Sequence, residues 1–242
     1  MNQQAALAFR CMDLTSLGNQ DTPEMIEALC AKARYHEHQV AAICVFPEHV
    51  TTAKRALNAQ VGPTVPVATV TNFPQGSTDV VRAVEETQRA LAAGADEIDV
   101  VLPYHALLAG DKKVCEQLVG SVKDACGDTA LLKVIIESGE LQTAAQIRLA
   151  SQLSIANGAD FIKTSTGKVP INATLMAAKE MLHVIATDNP ACGFKAAGRI
   201  RTLADAVEYF ALAESILGSE YLCPKFFRLG ASSLLTDLIE HS

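Results

Sequence analysis

Short apolar runs recur along this chain and alternate with longer amphipathic stretches. Each run is four to six residues long and rich in Val, Ile, Leu and Ala. The runs cover residues 11–15, 42–46, 67–71, 97–102, 132–137, 161–164, 193–196 and 227–230. Such alternation indicates βα units and a parallel sheet. Eight strands with their crossovers in 242 residues predict a single-domain (β/α)8 TIM barrel over 1–242, preceded by a short N-terminal helix.

An open doubly wound sheet is the main alternative fold. Its dinucleotide-binding form carries Gly-x-Gly-x-x-Gly after an early strand, and this sequence has no such motif. Helix starts are visible at Thr22, which precedes a proline, and at Thr143 and Thr202. The last two threonines are expected to form capping boxes with Gln146 and Asp205.

Composition narrows the class of protein. Apolar residues make up 49% of the chain, yet no apolar stretch reaches the roughly 18 residues needed to span a bilayer. The first residues lack the basic start and apolar core of a signal peptide, so we expect a cytoplasmic protein without a membrane partner. A net charge of −7 without a basic stripe argues against nucleic acid. Seven cysteines without paired spacing fit a reducing compartment.

The sequence gives little support to metal or cofactor chemistry. His36 and His38 alternate in what we interpret as a polar helix end, where histidines are more often solvated than bound to metal, and no third ligand is indicated. There is no P-loop, nucleophile elbow or His-Glu-x-x-His motif. We therefore expect no metal and no cofactor.

Two lysines lie inside apolar runs where a charge would be buried. Lys163 belongs to the run 161–164 and Lys195 to the run 193–196. Burial lowers the pKa of an ammonium group, and a neighbouring cation lowers it further. We expect the two lysines to lower each other's pKa, which prepares an amine for Schiff-base chemistry.

Acidic residues in other runs are candidates to face these lysines. Asp99 lies between two apolar residues, so it would point into the lumen of a barrel, and Asp13 is placed likewise. A structural ion-pair network is the alternative interpretation, but two lysines and two aspartates at one mouth favour a functional site. Glu137 ends its run and could pair with a lumenal lysine, whereas Lys133 begins that run and is expected at the opposite end from the active mouth.

Phosphate-binding signals follow the last three predicted strands. The candidate residues are Thr166, Gly167, Lys168, Gly198, Arg199, Gly230, Ser232 and Ser233. The serines precede a predicted final helix, and backbone N–H groups at a helix start suit an anion. Barrels often hold a phosphate beside their last two βα loops. The alternative is that the glycines merely end strands and the serines cap a helix.

At these residues the chain resembles the deoxyribose-phosphate aldolases, which are class I aldolases on a (β/α)8 barrel. The matching segments are 12–15, 42–44, 69–74, 96–101, 132–137, 161–168, 193–195 and 230–235. The segment 161–168, Phe-Ile-Lys-Thr-Ser-Thr-Gly-Lys, is the most specific. The resemblance implies reversible cleavage of 2-deoxy-D-ribose 5-phosphate to D-glyceraldehyde 3-phosphate and acetaldehyde, in deoxyribonucleotide catabolism.

The resemblance also implies roles for individual residues. It gives the Schiff base to Lys163, proton transfer to Asp99 and Lys195, pKa tuning to Lys195 as well, and a supporting role to Asp13. The resemblance also implies that the loops at Gly167–Lys168, Gly198 and Ser232–Ser233 hold the phosphate. Cys44 lies near the mouth and could line the pocket, although a core thiol is the alternative. The implied partners are phosphosugar and aldehyde substrates, and a homodimer is compatible with the family.

Three departures from the family pattern stand out. The family usually has Gly-Phe-Lys-Pro-Ala-Gly-Gly, and here Ala196 replaces the proline and Arg199 replaces the second glycine. Arg199 could add a charge-assisted contact to phosphate, or could strain a backbone suited to glycine. Longer relatives carry a terminal tyrosine that assists proton transfer, whereas the last tyrosine here is Tyr221 and the sequence ends at residues 241–242. Two alternative functions stay open: another Schiff-base phosphosugar lyase or isomerase on the same barrel, and a non-catalytic phosphosugar-binding protein.

Overall fold

The apolar runs of the sequence form the strands of a closed parallel barrel, seen in a computed structural model that describes residues 1–240. The strands are β1 (Met12–Thr15), β2 (Arg34–Tyr35), β3 (His38–Gln39), β4 (Ala42–Val45), β5 (Val67–Thr71), β6 (Glu97–Val101), β7 (Leu131–Ile135), β8 (Phe161–Lys163), β9 (Gly193–Ala197) and β10 (Phe227–Ala231). Strands β1 and β4 to β10 follow one another around the barrel, and β10 closes against β1. The (β/α)8 prediction is confirmed, and each predicted strand matches within two residues at either end.

Helices cover the outside of the barrel. They are α1 (Gln3–Arg10), α2 (Pro23–Ala31), α3 (Val50–Asn58), α4 (Val80–Ala92), α5 (Tyr104–Leu108), α6 (Lys112–Cys126), α7 (Ser138–Leu141), α8 (Ala144–Ala156), α9 (Leu175–Asp188), α10 (Leu203–Leu217) and α11 (Leu234–Glu240). Single 3-10 turns occur at Pro47–His49 and Ser219–Tyr221. Within residues 1–240, no helix combines the length and apolar character needed to cross a membrane.

Side-chain caps explain where several helices begin. The Thr22 Oγ1 atom accepts a hydrogen bond from the N–H of Met25 at 3.4 Å, at the start of α2. Thr202 and Asp205 form the complete capping box at α10. Thr143 accepts from the N–H of Gln146 at 3.3 Å, but the Gln146 side-chain oxygen is buried without a partner. The predicted capping box at α8 is therefore only half formed.

A small hairpin outside the barrel was not predicted. Strands β2 and β3 pair antiparallel, and His36 lies in their turn with a positive φ of 52°. The interpretation of His36 and His38 as a polar helix end is therefore wrong, because His36 lies in the turn of this hairpin and His38 in β3. No cluster of His, Cys, Asp or Glu suited to a metal ion occurs in the part of the chain that the structure describes.

The strand register brings the charged residues of the sequence onto one side of the lumen. Lys163 is aligned with Lys195, Lys195 with Arg228, and Asp99 with Lys133. Since alternate residues of a strand face the same side, these side chains share the interior of the barrel. The opposite side, on β4 and β5, carries small apolar residues: Ala42, Cys44, Ala68 and Val70. Charged side chains thus occupy most of the lumen, and an apolar sector remains on β4 and β5.

Candidate active site

The two lysines singled out in the sequence meet at one carboxylate. The Nζ atoms of Lys163 and Lys195 each lie 2.8 Å from Oδ2 of Asp99. Asp99 and Lys195 are fully buried, and Lys163 is 3% exposed. Strands β6, β8 and β9 therefore bring the predicted catalytic trio together.

Other charged side chains extend this cluster downward from the mouth. Asp13 accepts from Lys195 and, at 2.7 Å, from Nη1 of Arg228. Lys133 lies 2.8 Å from Oδ1 of Asp99 and 2.5 Å from Oε2 of Glu97. The expectation that Lys133 would be remote from the active mouth is wrong, because Lys133 is the central residue of β7 and is aligned with Asp99 on β6.

Sequence reasoning missed Glu97 and Arg228. Both are charged residues inside apolar runs, which is the signal that drew attention to the lysines. Glu97 stands two residues before Asp99, so the period of a strand puts both on the lumenal face. Arg228 likewise stands two residues before Gly230, at a position whose neighbour in the register is Lys195.

The electrostatics of the two lysines differ in sign. Burial lowers the pKa of Lys163, and the Lys195 cation adds to that effect against the opposing pull of Asp99. Burial also acts against the Lys195 ammonium, but Asp13 and Asp99 outweigh it and raise the pKa of Lys195. The expectation that each lysine lowers the pKa of the other is therefore correct only for Lys163. Despite burial, the surrounding lysines hold the pKa of Asp99 well below its ordinary value.

A cavity of about 510 Å³ opens over this cluster at the carboxyl ends of the strands. Its size falls in the range of small-molecule sites. It is lined by Thr15, Leu17, Lys163, Thr166, Gly167, Lys168, Ala197, Gly198, Arg199, Ile200, Arg201, Gly230, Ala231, Ser232 and Ser233. All the predicted phosphate-loop residues line it together with Lys163. Of the three buried lysines in the described part of the chain, Lys133, Lys163 and Lys195, it is Lys163 that lines the cavity.

The sequence matches the family described as DeoC/LacD family aldolase over residues 7–236. The chain belongs to this family of aldolases. The resemblance seen in the sequence is thereby confirmed at the level of the family, and the protein is an enzyme of the carbon–carbon lyase type.

Solved structures agree with this assignment. A protein of Coccidioides immitis that carries the provisional name deoxyribose-phosphate aldolase is 32% identical, with a TM-score of 0.86 over 99% of this chain and 87% of that chain. A deoxyribose phosphate aldolase from Aeropyrum pernix, described as a unique tetramer, is 26% identical, with a TM-score of 0.77 over 99% and 92%. A provisionally named relative from Toxoplasma gondii, 23% identical over 98% and 94%, shares the fold with a TM-score of 0.87.

Arg199 adopts a backbone conformation that favours glycine, the residue that the resemblance leads one to expect at this position. Its φ is 66°, in the left-handed region. Its Nη2 atom donates to the carbonyl of Pro170 at 2.7 Å, which ties the loop after β9 to the loop after β8. Sequence reasoning also missed Arg201, which lines the same cavity two residues further on. Lys168 completes the set of cations there, and its Nζ donates to the carbonyl of Leu17 at 2.7 Å.

Two other expectations for the aldolase site need correction. Glu137 does not pair with a lysine: it lies beyond the end of β7 with a φ of 52° and accepts from N and Oγ1 of Thr166, at 3.2 and 2.6 Å. It therefore positions the loop after β8. Cys44 is fully buried in the apolar sector on β4 and β5 and is not on the cavity wall. Burial raises the pKa of its thiol.

No tyrosine of the described part of the aldolase lines the cavity. Tyr221 is buried, and its hydroxyl donates to the carbonyl of Cys192 at 2.8 Å. Residues 241–242, where the comparison with a terminal tyrosine falls, lie outside the described residues.

Proposed function

We propose that this aldolase reversibly cleaves 2-deoxy-D-ribose 5-phosphate to D-glyceraldehyde 3-phosphate and acetaldehyde, through a Schiff base on Lys163. One observation carries the proposal. Lys163 presents a buried amine with a lowered pKa to a cavity whose far wall is built from cationic and glycine-rich loops. The provisional name of the Coccidioides immitis relative supports the choice of substrate.

The reaction begins with the unprotonated amine of Lys163, which attacks the aldehyde carbon of the open-chain sugar. Loss of water from the resulting carbinolamine gives an iminium ion. Removal of the proton from the C3 hydroxyl then breaks the C2–C3 bond, and its electron pair flows to the iminium nitrogen to give an enamine. Glyceraldehyde 3-phosphate leaves, C2 of the enamine takes a proton, and water releases acetaldehyde and the free amine.

Asp99 and Lys195 support this sequence electrostatically. The iminium is a cation that forms where a neutral amine stood, and the Asp99 carboxylate, 2.8 Å from the Lys163 nitrogen, stabilises that charge as it develops. The low pKa of Asp99 means that it accepts protons only transiently, so we assign it a relay role with water. Lys195 remains an ammonium because Asp13 and Asp99 raise its pKa, and it keeps Lys163 unprotonated.

The loops at the cavity would hold the phosphate. Lys168, Arg199 and Arg201 supply positive charge, and the hydroxyls of Ser232 and Ser233 add hydrogen-bond donors. A dianionic phosphate at this wall would leave the aldehyde end of the substrate directed toward Lys163. This arrangement favours a phosphorylated sugar over the free sugar.

Trapping of the Schiff base tests the nucleophile. We expect incubation with acetaldehyde and borohydride to add one ethyl group to the peptide that contains Lys163, and to abolish activity. Lys163→Met should remain unlabelled at this peptide and inactive. Labelling at another lysine, or turnover by Lys163→Met, would exclude the proposed chemistry in favour of another phosphosugar lyase or isomerase.

A substrate pair tests the phosphate site. We expect cleavage of deoxyribose 5-phosphate with a far lower KM than that of deoxyribose. Lys168→Gln should raise the KM for the phosphate ester at least severalfold and leave the rate with deoxyribose unchanged. Saturable binding of the phosphate ester without release of acetaldehyde would instead identify a non-catalytic binding protein.

We also propose that the enzyme works in the cytoplasm as a homodimer on small-molecule substrates, without nucleic acid. Unpaired cysteines throughout the described residues suit a reducing compartment. The Aeropyrum pernix relative is described as a tetramer. Light scattering on the protein as it elutes from a size-exclusion column should give twice the chain mass of 25.7 kDa. A mass four times that of the chain would show a tetramer and refute the dimer.

A further inference from the structure

Charged side chains in the barrel lumen form a closed ring in which acids and bases alternate. Within residues 1–240, the ring runs Asp99, Lys195, Asp13, Arg228, Glu97, Lys133 and back to Asp99. Each carboxylate lies between two cations, and each cation between two carboxylates. All six side chains are 6% exposed or less. The ring thus carries three positive and three negative charges and is neutral as a unit.

The lower part of the ring is remote from the substrate cavity. Arg228 makes two parallel contacts to Glu97, Nη1 to Oε2 at 3.2 Å and Nη2 to Oε1 at 3.0 Å. This fork is the strong geometry of an arginine–carboxylate pair. Neither residue lines the cavity over Lys163, and Arg228 instead borders a separate cleft with Lys225 and Arg10. Arg228 and Glu97 therefore cannot touch the substrate.

Lys163 stands outside the ring as one additional amine. Its Nζ atom contacts Oδ2 of Asp99, the same oxygen that accepts a hydrogen bond from Lys195. Because the ring is already neutral, an ammonium at Lys163 would give the buried cluster an uncompensated positive charge. Such a charge is costly in a dry interior. The neutral amine needs no counter-charge.

We propose that Arg228 and Glu97 are positioning residues of the aldolase, which close the ring and thereby keep Lys163 an unprotonated amine. This inference rests on the proposed function only in naming Lys163 as the nucleophile. It assigns the charge state of that nucleophile to the neutrality of the whole ring and not to Lys195 alone.

Other groups that face Lys163 are unchanged by substitutions at the bottom of the ring. Besides the ring members, they are Cys44 on β4, Glu137 beyond β7 and Lys168 in the loop after β8. A variant at Arg228 or Glu97 changes the ring charge by one unit and leaves these groups in place. The effect on Lys163 is then electrostatic in origin.

The experiment compares Arg228→Met, Glu97→Gln and the double variant. Reductive methylation with formaldehyde and cyanoborohydride modifies only the neutral form of an amine. Peptide mass spectrometry gives the rate of methylation of Lys163 at each pH, and the midpoint is the pH at which this rate reaches half of its plateau. Arg228→Met leaves a ring of charge −1, which favours the ammonium, so the midpoint should rise by about one pH unit, a tenfold change in neutral amine. Glu97→Gln leaves a ring of charge +1, so the midpoint should fall. The double variant should return to the wild-type midpoint.

The acid limb of kcat/KM for aldol cleavage should move in the same directions. A purely structural role predicts lower activity in both single variants without opposite shifts of the midpoint, and that result would overturn the proposal. Arg228→Lys keeps the charge but not the fork, and its midpoint should match wild type. If Arg228→Met does not fold, Glu97→Gln against Arg228→Lys decides the question.

The methylation readout does not depend on turnover of any sugar. Failure to cleave deoxyribose 5-phosphate would therefore refute the proposed function while the opposite midpoint shifts still supported the ring. Normal cleavage with unmoved midpoints would refute the ring alone.

Discussion

Replacing Lys163 by methionine separates its chemistry from any contribution to the stability of the barrel. If Lys163 is a neutral amine outside an electrically neutral ring, its removal breaks one hydrogen bond and leaves the net charge of the buried cluster unchanged. Asp99 keeps its contacts to Lys133 and Lys195, both at 2.8 Å, so no carboxylate is left without a partner. Methionine has a similar length and fills the same space with apolar atoms.

The magnitudes follow from these contacts. The lost hydrogen bond of a neutral amine to Asp99 is worth about 1.5–3 kcal/mol, since its acceptor is charged. Relief from burying a polar group offsets about 1–3 kcal/mol. We therefore expect the free energy of unfolding of Lys163→Met to lie within about 2 kcal/mol of wild type. Lys195→Met is the matched control, and it should lose about 3–5 kcal/mol because it breaks a buried ion pair and leaves Asp13 short of a cation.

Equilibrium urea unfolding measures both variants, with aldol cleavage assayed on the same preparations. Lys163→Met should be inactive yet nearly as stable as wild type. In a thermal scan, the melting temperature of Lys195→Met should be lower than that of wild type by on the order of 10 °C. A loss of about 3 kcal/mol or more in Lys163→Met would refute the reasoning. Such a loss would mean that Lys163 is a charged member of the network and not a surplus neutral amine.

Three further predictions concern the loops around the cavity. Arg199→Gly should raise the KM for deoxyribose 5-phosphate severalfold, and calorimetry should show unchanged or slightly higher stability, since relief of a left-handed φ of 66° (about 1–2 kcal/mol) outweighs the added chain entropy of glycine (about 0.5–1 kcal/mol). Gly198→Ala should destabilise the protein by about 1–3 kcal/mol in urea unfolding and weaken phosphate binding, because φ is 85° and a Cβ there would lie 2.6 Å from that of Asn172. Burial raises the pKa of Glu137 above its ordinary value of 4.5, so its ionisation opposes folding as pH rises through the raised pKa. Glu137→Gln, which can still accept from Thr166, should therefore have a higher free energy of urea unfolding than wild type at neutral pH. This advantage should vanish below about pH 4.5, and an advantage of the same size at neutral and acidic pH would contradict the burial of the carboxylate.

The strands and the lysine–aspartate trio could be predicted from the sequence because they depend on local pattern. Parallel strands buried on both faces must be apolar, so a charge within one stands out. The period of two then decides which charges share a face. Lys163, Lys195 and Asp99 all satisfy both rules, and the structure brings their side chains into contact.

The ring could not be predicted in the same way, because it depends on the reach of side chains and on strand register. The apolar run suggested that Lys133 begins its strand, but β7 begins at Leu131, so Lys133 is its central residue and is aligned with Asp99 on the neighbouring strand. Position in a strand locates a Cα atom and not an Nζ atom. The contact of Glu137 was missed for a related reason: its left-handed backbone turns the carboxylate toward Thr166 and away from the lysines.

The division between ring and loops explains how this aldolase tolerates an unusual residue beside its site. Arg199 lies on the cavity wall and ties two loops together, but it makes no contact with a member of the ring. Its charge is exposed to solvent, where screening weakens its effect on a buried amine. The ring is instead closed from below by Arg228 and Glu97, which do not line the cavity. If both proposals hold, changes in the loops should alter which anion is bound, and the protonation state of Lys163 should follow the charge of the barrel interior.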